Sequence, residues 1–110
     1  MLNLPFYMFQ RLSALIMIPF VFGHIAVMVY AIQGGLSAAE ILSRTQGSVF
    51  WFLFYGTFVL AVSVHAAIGL RVIIHETLGV KKNALTVITW FIGLTLLFMG
   101  GRAVLAVTFS

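Results

Sequence analysis

His65 carries an imidazole beside a gap: Ala66 and Ala67 follow it, and Gly69 lies one helical turn further on. Imidazole is a good ligand for iron, and a flat macrocycle standing edge-on to a helix needs such a flank of small residues. Close helix packing needs the same flank. On a helix, His65, Gly69, Val72 and Glu76 fall along one stripe, because eleven residues return to within ~20° of the starting direction. Ligand, gap and acid then share a face; the other reading is a packing stripe that ends in a solvated Glu76.

A second histidine, His24, sits next to Gly23 inside an uncharged apolar run. Hydrocarbon offers an imidazole no partner, so His24 must hydrogen-bond a neighbouring helix or serve as an axial haem ligand. Gly23 lets something bulky approach the backbone there. Pro19, about one turn earlier, is expected to bend the helix and free the carbonyl of Leu15. Arg71, His75 and Glu76 form a charged cluster that could bind a carboxylate, a haem propionate or another subunit. The same cluster could be ordinary snorkelling at a helix end. Gln10, Arg11 and Ser13 make a second polar knot where the first apolar run begins. The chain has no cysteine. Disulfides, iron–sulfur ligation and thiol catalysis are therefore excluded, and the candidate ligands reduce to histidine, methionine, tyrosine and two acids.

The elements that must position these groups are membrane spans. Only 7% of the 110 residues are charged and 63% are hydrophobic, whereas soluble domains are about 25% charged. This composition excludes most soluble enzymes, nucleic-acid-binding modules and disordered tails. The net charge of +4 reflects a shortage of acids, and the bases are scattered, so there is no basic patch for nucleic acid. Three apolar runs, at about residues 12–32, 49–74 and 84–106, each reach the ~20 residues a helix needs to cross ~30 Å of hydrocarbon. The runs are too long and too uniformly apolar for barrel strands. The expected architecture is an all-α membrane protein: one transmembrane anchor domain, 1–110, with three transmembrane helices. Polar connectors follow the first run (Gln33-Gly34-Gly35-Leu36-Ser37) and precede the second (Arg44-Thr45-Gln46-Gly47-Ser48). Arg11, Arg71, Lys81 and Lys82 fall on one side, against Arg44 and Arg102 on the other. The excess of bases predicts an N-terminus inside the cell. Three helices enclose little by themselves, so a cofactor site would need a larger, multi-subunit helix bundle.

These residues resemble a known family. Gln10-Arg11-Leu12-Ser13-Ala14 resembles the His-Arg-x-Ser/Thr-Gly motif in the first span of the cytochrome b membrane anchor of succinate dehydrogenase and fumarate reductase. His65-Ala66-Ala67-Ile68-Gly69-Leu70-Arg71, followed by Glu76, resembles that anchor's His-x-x-x-Gly-Ile-Arg-His…Asp segment. Length and the three-span layout also agree. The sequence departs from the pattern at Gln10 for His, Ala14 for Gly, Val72 for the second His and Glu76 for Asp. Gln10 and Val72 remove two polar groups near the propionates and the quinone.

The resemblance implies specific roles. His65 matches the haem b axial ligand and so would hold the haem iron. Arg11 and Ser13 match residues lining a ubiquinone or menaquinone pocket, with Tyr7 one turn earlier as a third quinone residue. Arg71 matches a propionate or subunit-interface arginine. His24, deeper in its span, is the candidate for a second haem. The implied partners are a flavoprotein subunit, an iron–sulfur subunit and a second membrane anchor. The implied function is to tether them and pass electrons to quinone in either direction of the succinate–fumarate reaction. The alternatives are the cytochrome b of another respiratory enzyme and a small multidrug-type transporter; the latter looks to a carboxylate in its first span and usually has four spans. The implied setting is an inner membrane. A bacterial one is expected over a mitochondrial one, since no transit-like segment precedes the first span.

Overall fold

A computed structural model describes residues 4–109, and every regular element in it is helical. Helix α1 spans Leu4–Gly34, α2 Ala38–Thr45, α3 Val49–Leu78 and α4 Lys82–Thr108. α1, α3 and α4 are each long and apolar enough to cross a membrane. Each overruns its apolar run. α1 starts eight residues before Leu12, because Arg11, Gln10 and Tyr7 are polar without breaking a helix and Pro5 is tolerated in a first turn. Pro19 lies inside α1 without ending it.

α2 is an element that the connector reading missed. Its start carries a Ser-x-x-Glu signature. The Ser37 hydroxyl accepts from the Glu40 backbone N–H at 3.2 Å and donates to Glu40 Oε1 at 2.7 Å. α3 is capped at its start by Ser48, whose Oγ accepts from the Trp51 N–H at 3.3 Å. It ends at Gly79, whose φ of 63° is the left-handed turn that costs glycine nothing. The last turn of α4 is closed by the loop it meets. The Thr45 hydroxyl donates to the Val107 carbonyl at 2.7 Å, and the Gly47 N–H donates to the Thr108 carbonyl. These carbonyls have no partner within their own helix, and apolar surroundings would leave them costly.

α3 is the central helix, with α1 and α4 packed on it and α2 against α4. Both seams are antiparallel. Along α1/α3, Gly23 faces the Phe54 ring and Gly69 faces Gln10. Along α3/α4, Gly93 faces Ala67 and Gly100 faces Val59. Small residues at these crossings let backbones approach, which matters in lipid because burial of apolar surface drives nothing there. The buried apolar residues are accordingly few: Ala61, Ala67, Ile68, Leu85 and Val104. Large apolar side chains instead cover the outside, among them Phe22, Phe91 and Phe98.

Gly100 is the tightest of these crossings. A Cβ there would lie 2.5 Å from Val59 Cγ1, and valine has little rotamer freedom on a helix with which to yield. Gly100→Ala is expected to cost about 1–3 kcal/mol through overpacking and to lower the Tm of the purified complex. Gly56→Ala, facing open space, is the control and should leave it unchanged or raised. Equal Tm for wild type and Gly100→Ala would show that the seam yields.

Candidate functional site

His65 projects from α3 into a groove of ≈ 250 Å³ whose other wall is α1, formed by Ala14, Met17, Ile18, Val21 and Phe22. Ile18 and Phe22 are exposed, so the groove lies on the outside of the chain. The imidazole Nδ1 is buried without a hydrogen-bond partner. Leaving such a group unsatisfied costs about 1–3 kcal/mol by mutational measure. Gly69 lies on the same face, and the gap above it holds the end of the Gln10 side chain, with Nε2 3.6 Å from where a Cβ would be. Gln10 Oε1 is also buried without a partner. Glu76, at the end of the stripe, is exposed.

His24 sits in the α1/α3 seam at another level. Its ring lies 5.5 Å from the Phe58 ring and 6.4 Å, edge to face, from Tyr55. Its Nδ1 too is buried and unpartnered. Since His24 packs beside Tyr55 and Phe58, His65 is about nine residues, or ~14 Å, further along α3. One iron cannot take both rings. Among the described residues no group of three His, Asp or Glu side chains could hold a bare metal ion. An iron bound at either histidine would need its remaining ligands from a group such as a porphyrin or from another chain. An unpartnered imidazole facing an apolar groove that is open on one side fits a flat macrocycle of that kind.

The arginines divide between two places. Arg11 is exposed and pairs with Tyr7, four residues earlier: Nη1 donates to the Tyr7 hydroxyl at 3.1 Å, and the guanidinium carbon lies 5.8 Å from the ring centroid. Ser13 is not with them. It lies on the far side of α1, 4% exposed, and its hydroxyl donates to the Gln10 carbonyl at 3.0 Å. Two residues along a helix are ~200° apart, which is the physical reason for the separation.

Arg71 turns away from the His65 groove by about 120° around α3. It is 3% exposed and reaches α4, donating to the Thr89 hydroxyl at 3.2 Å and the Thr86 hydroxyl at 3.5 Å. The Phe6 ring stacks 4.6 Å from its guanidinium carbon. A desolvated cation–π contact of this kind is worth about 2 kcal/mol. Its Nε has no partner. The charged cluster expected around Arg71 is thus split: His75 Nδ1 lies 3.3 Å from the Val80 carbonyl, and Glu76 faces outward. Thr86 and Thr89 were missed as partners; two hydroxyls three residues apart in an apolar span were the available signal. Phe6 and Thr89 also line an apolar groove of ≈ 270 Å³ between α1, α3 and α4, on whose floor lie Ser63 and Ala67.

With this geometry in view, comparison with known proteins gives two matches. Residues 2–103 match the family model described as succinate dehydrogenase/fumarate reductase transmembrane subunit. The chain is also 36% identical over 101 residues to the succinate dehydrogenase hydrophobic membrane anchor subunit of Archaeoglobus fulgidus, covering 84% of this chain and 86% of that one. No solved structure matches it.

Proposed function

Because the chain belongs to the succinate dehydrogenase/fumarate reductase transmembrane subunit family, we propose that it is the cytochrome b anchor that takes electrons from the iron–sulfur subunit toward quinone. It is a membrane-anchor subunit of that complex and a multi-pass membrane protein. The transporter reading, and that of a cytochrome b from another respiratory enzyme, are not retained. One observation carries the finer reading: in a chain of this family, His65 lines an outward-facing groove with its Nδ1 buried and unpartnered.

His65 would hold haem b, which when bound supplies one-electron redox chemistry between the iron–sulfur subunit and quinone. The groove wall of Ala14, Met17, Ile18, Val21 and Phe22 is apolar. Arg11 and Tyr7, joined by their hydrogen bond and exposed at the end of α1, would bind the quinone carbonyl with charge-assisted donors. Ser13 would reach the same pocket only from the bundle side of α1. Arg71, buried against Thr86 and Thr89, would serve a propionate or a neighbouring subunit from the α3/α4 side. A second membrane anchor would close the groove and supply the other protein ligand, since His24 is too far along the bundle. The excess of bases at the N-terminal end supports an N-terminus inside. Purification with the flavoprotein and iron–sulfur subunits, followed by a visible spectrum, tests the reading. A complex without a b-type haem overturns it.

His24 supports a complex with two haems, His24 serving the outer and His65 the inner. A histidine kept deep in a span and unpartnered is costly, and the ~14 Å offset along the bundle suits a second group stacked across the membrane. The expected haem-to-flavin ratio is near two in wild type, falling to one in His24→Leu. A wild-type ratio near one sinks the second haem and leaves His24 as a packing residue against Tyr55 and Phe58.

A further inference from the structure

Gln10 is polar and points into the α1/α3 seam. Its Nε2 end lies over the gap at Gly69, and its Oε1 is buried with no donor. On the facing helix, four residues before Gly69 and on the same face, His65 Nδ1 is buried with no partner either. One group lacks a donor, the other is a ring nitrogen able to supply a proton, and they are offset by about one helical turn, ~6 Å along α3. Two orphaned polar atoms in one apolar seam are each costly, and joining them removes both costs. The gap at Gly69 leaves the carboxamide room to turn.

We propose that Gln10 is the positioning residue of His65, its Oε1 accepting the Nδ1–H hydrogen bond, directly or across one bridging water. This rests on the reading of His65 as a haem ligand. A histidine that binds a metal through one ring nitrogen donates the other N–H to an acceptor, which fixes the tautomer and the ring plane and raises the basicity of the ligating nitrogen. Here the acceptor comes from the neighbouring helix. With Nδ1 protonated and held inward, Nε2 keeps its lone pair toward the groove formed by Ala14, Met17, Ile18, Val21 and Phe22.

The test uses the whole complex purified with its partner subunits, reading the midpoint potential of the haem that His65→Leu removes. Gln10→Leu takes away the acceptor, makes the imidazole less basic and is expected to raise that potential; haem affinity is expected to fall about tenfold or more. Gln10→Glu keeps an acceptor and is expected to hold the potential at or below that of wild type. If Gln10→Leu does not assemble, Gln10→Met, matched in length, reads the same rise. A potential unmoved in Gln10→Leu, or raised equally in Gln10→Glu, overturns the role of Gln10 alone. Haem retained in full by His65→Leu overturns the reading of His65 and this role with it.

Discussion

His65→Leu is expected to remove the haem proposed to bind at His65 while leaving the anchor folded. The side chain is isosteric enough to fill the groove wall, and in the absence of haem it replaces an unpartnered buried nitrogen with an apolar group, which costs the helices nothing. Folding of α3 does not depend on it, since the seams are made by Gly23 against Phe54, Ala67 against Gly93 and Val59 against Gly100. The loss should therefore be specific: a haem-to-flavin ratio lower by one, with the same set of subunits present. Without the proposed ligand, electron flow to quinone should slow as well, whereas succinate oxidation by a soluble artificial acceptor should persist. A preparation that keeps all its haem would show that another residue binds the iron. Complete loss of the complex, with His24→Leu stable, would show that His65 is a packing residue whose partner lies in another subunit.

The second large effect is at Arg11, the residue proposed to bind quinone. Arg11→Ala is expected to lower quinone reduction by about tenfold to a hundredfold, because a charge-assisted hydrogen bond is worth about 1.5–3 kcal/mol. Activity with a soluble acceptor should stay near wild type, since in the proposed complex the dicarboxylate chemistry belongs to another subunit. Arg11→Lys keeps the charge but loses the planar fork that can hold both Tyr7 and a carbonyl oxygen. It should recover only part of the loss. Tyr7→Phe separates the two members of the pair, removing the hydroxyl that Arg11 contacts at 3.1 Å while keeping the ring beneath the guanidinium. Equal loss of both activities in Arg11→Ala would mean that Arg11 holds subunits together at the membrane surface. Full recovery by Arg11→Lys would reduce it to an interfacial anchor.

Composition alone determined the class. With 7% charged residues there is no polar surface to give a soluble domain, and an apolar run of about 20 residues has one stable form in hydrocarbon, because backbone groups must pair within the segment. Periodicity determined that His65 and Gly69 share a face of α3, and this holds at the α1 seam. The depth difference between His24 and His65 was legible by counting residues, since a helix converts number into distance at a constant rise. The ends of the helices were not legible from hydropathy. Polar residues such as Gln10 and Arg11 continue a helix past the apolar run, and α2 is opened by a Ser37 cap on the Glu40 N–H that hydropathy does not register.

What tertiary structure decided is which face meets which neighbour. Arg11 and Ser13 are two residues apart in one motif, yet α1 turns one outward to Tyr7 and the other into the bundle. Arg71 is six residues from His65, yet lies in the other seam, held by Thr86 and Thr89 of α4. The pairing of Gln10 with the face of His65 requires the register of α1 against α3, and that register is set by the meeting of Gly23 with Phe54 and of Gly69 with Gln10. Such contacts join positions tens of residues apart through shape alone. A one-dimensional pattern specifies the stripe on each helix but not the rotation at which two stripes meet, because in lipid that rotation follows the close approach of small residues rather than the burial of apolar ones.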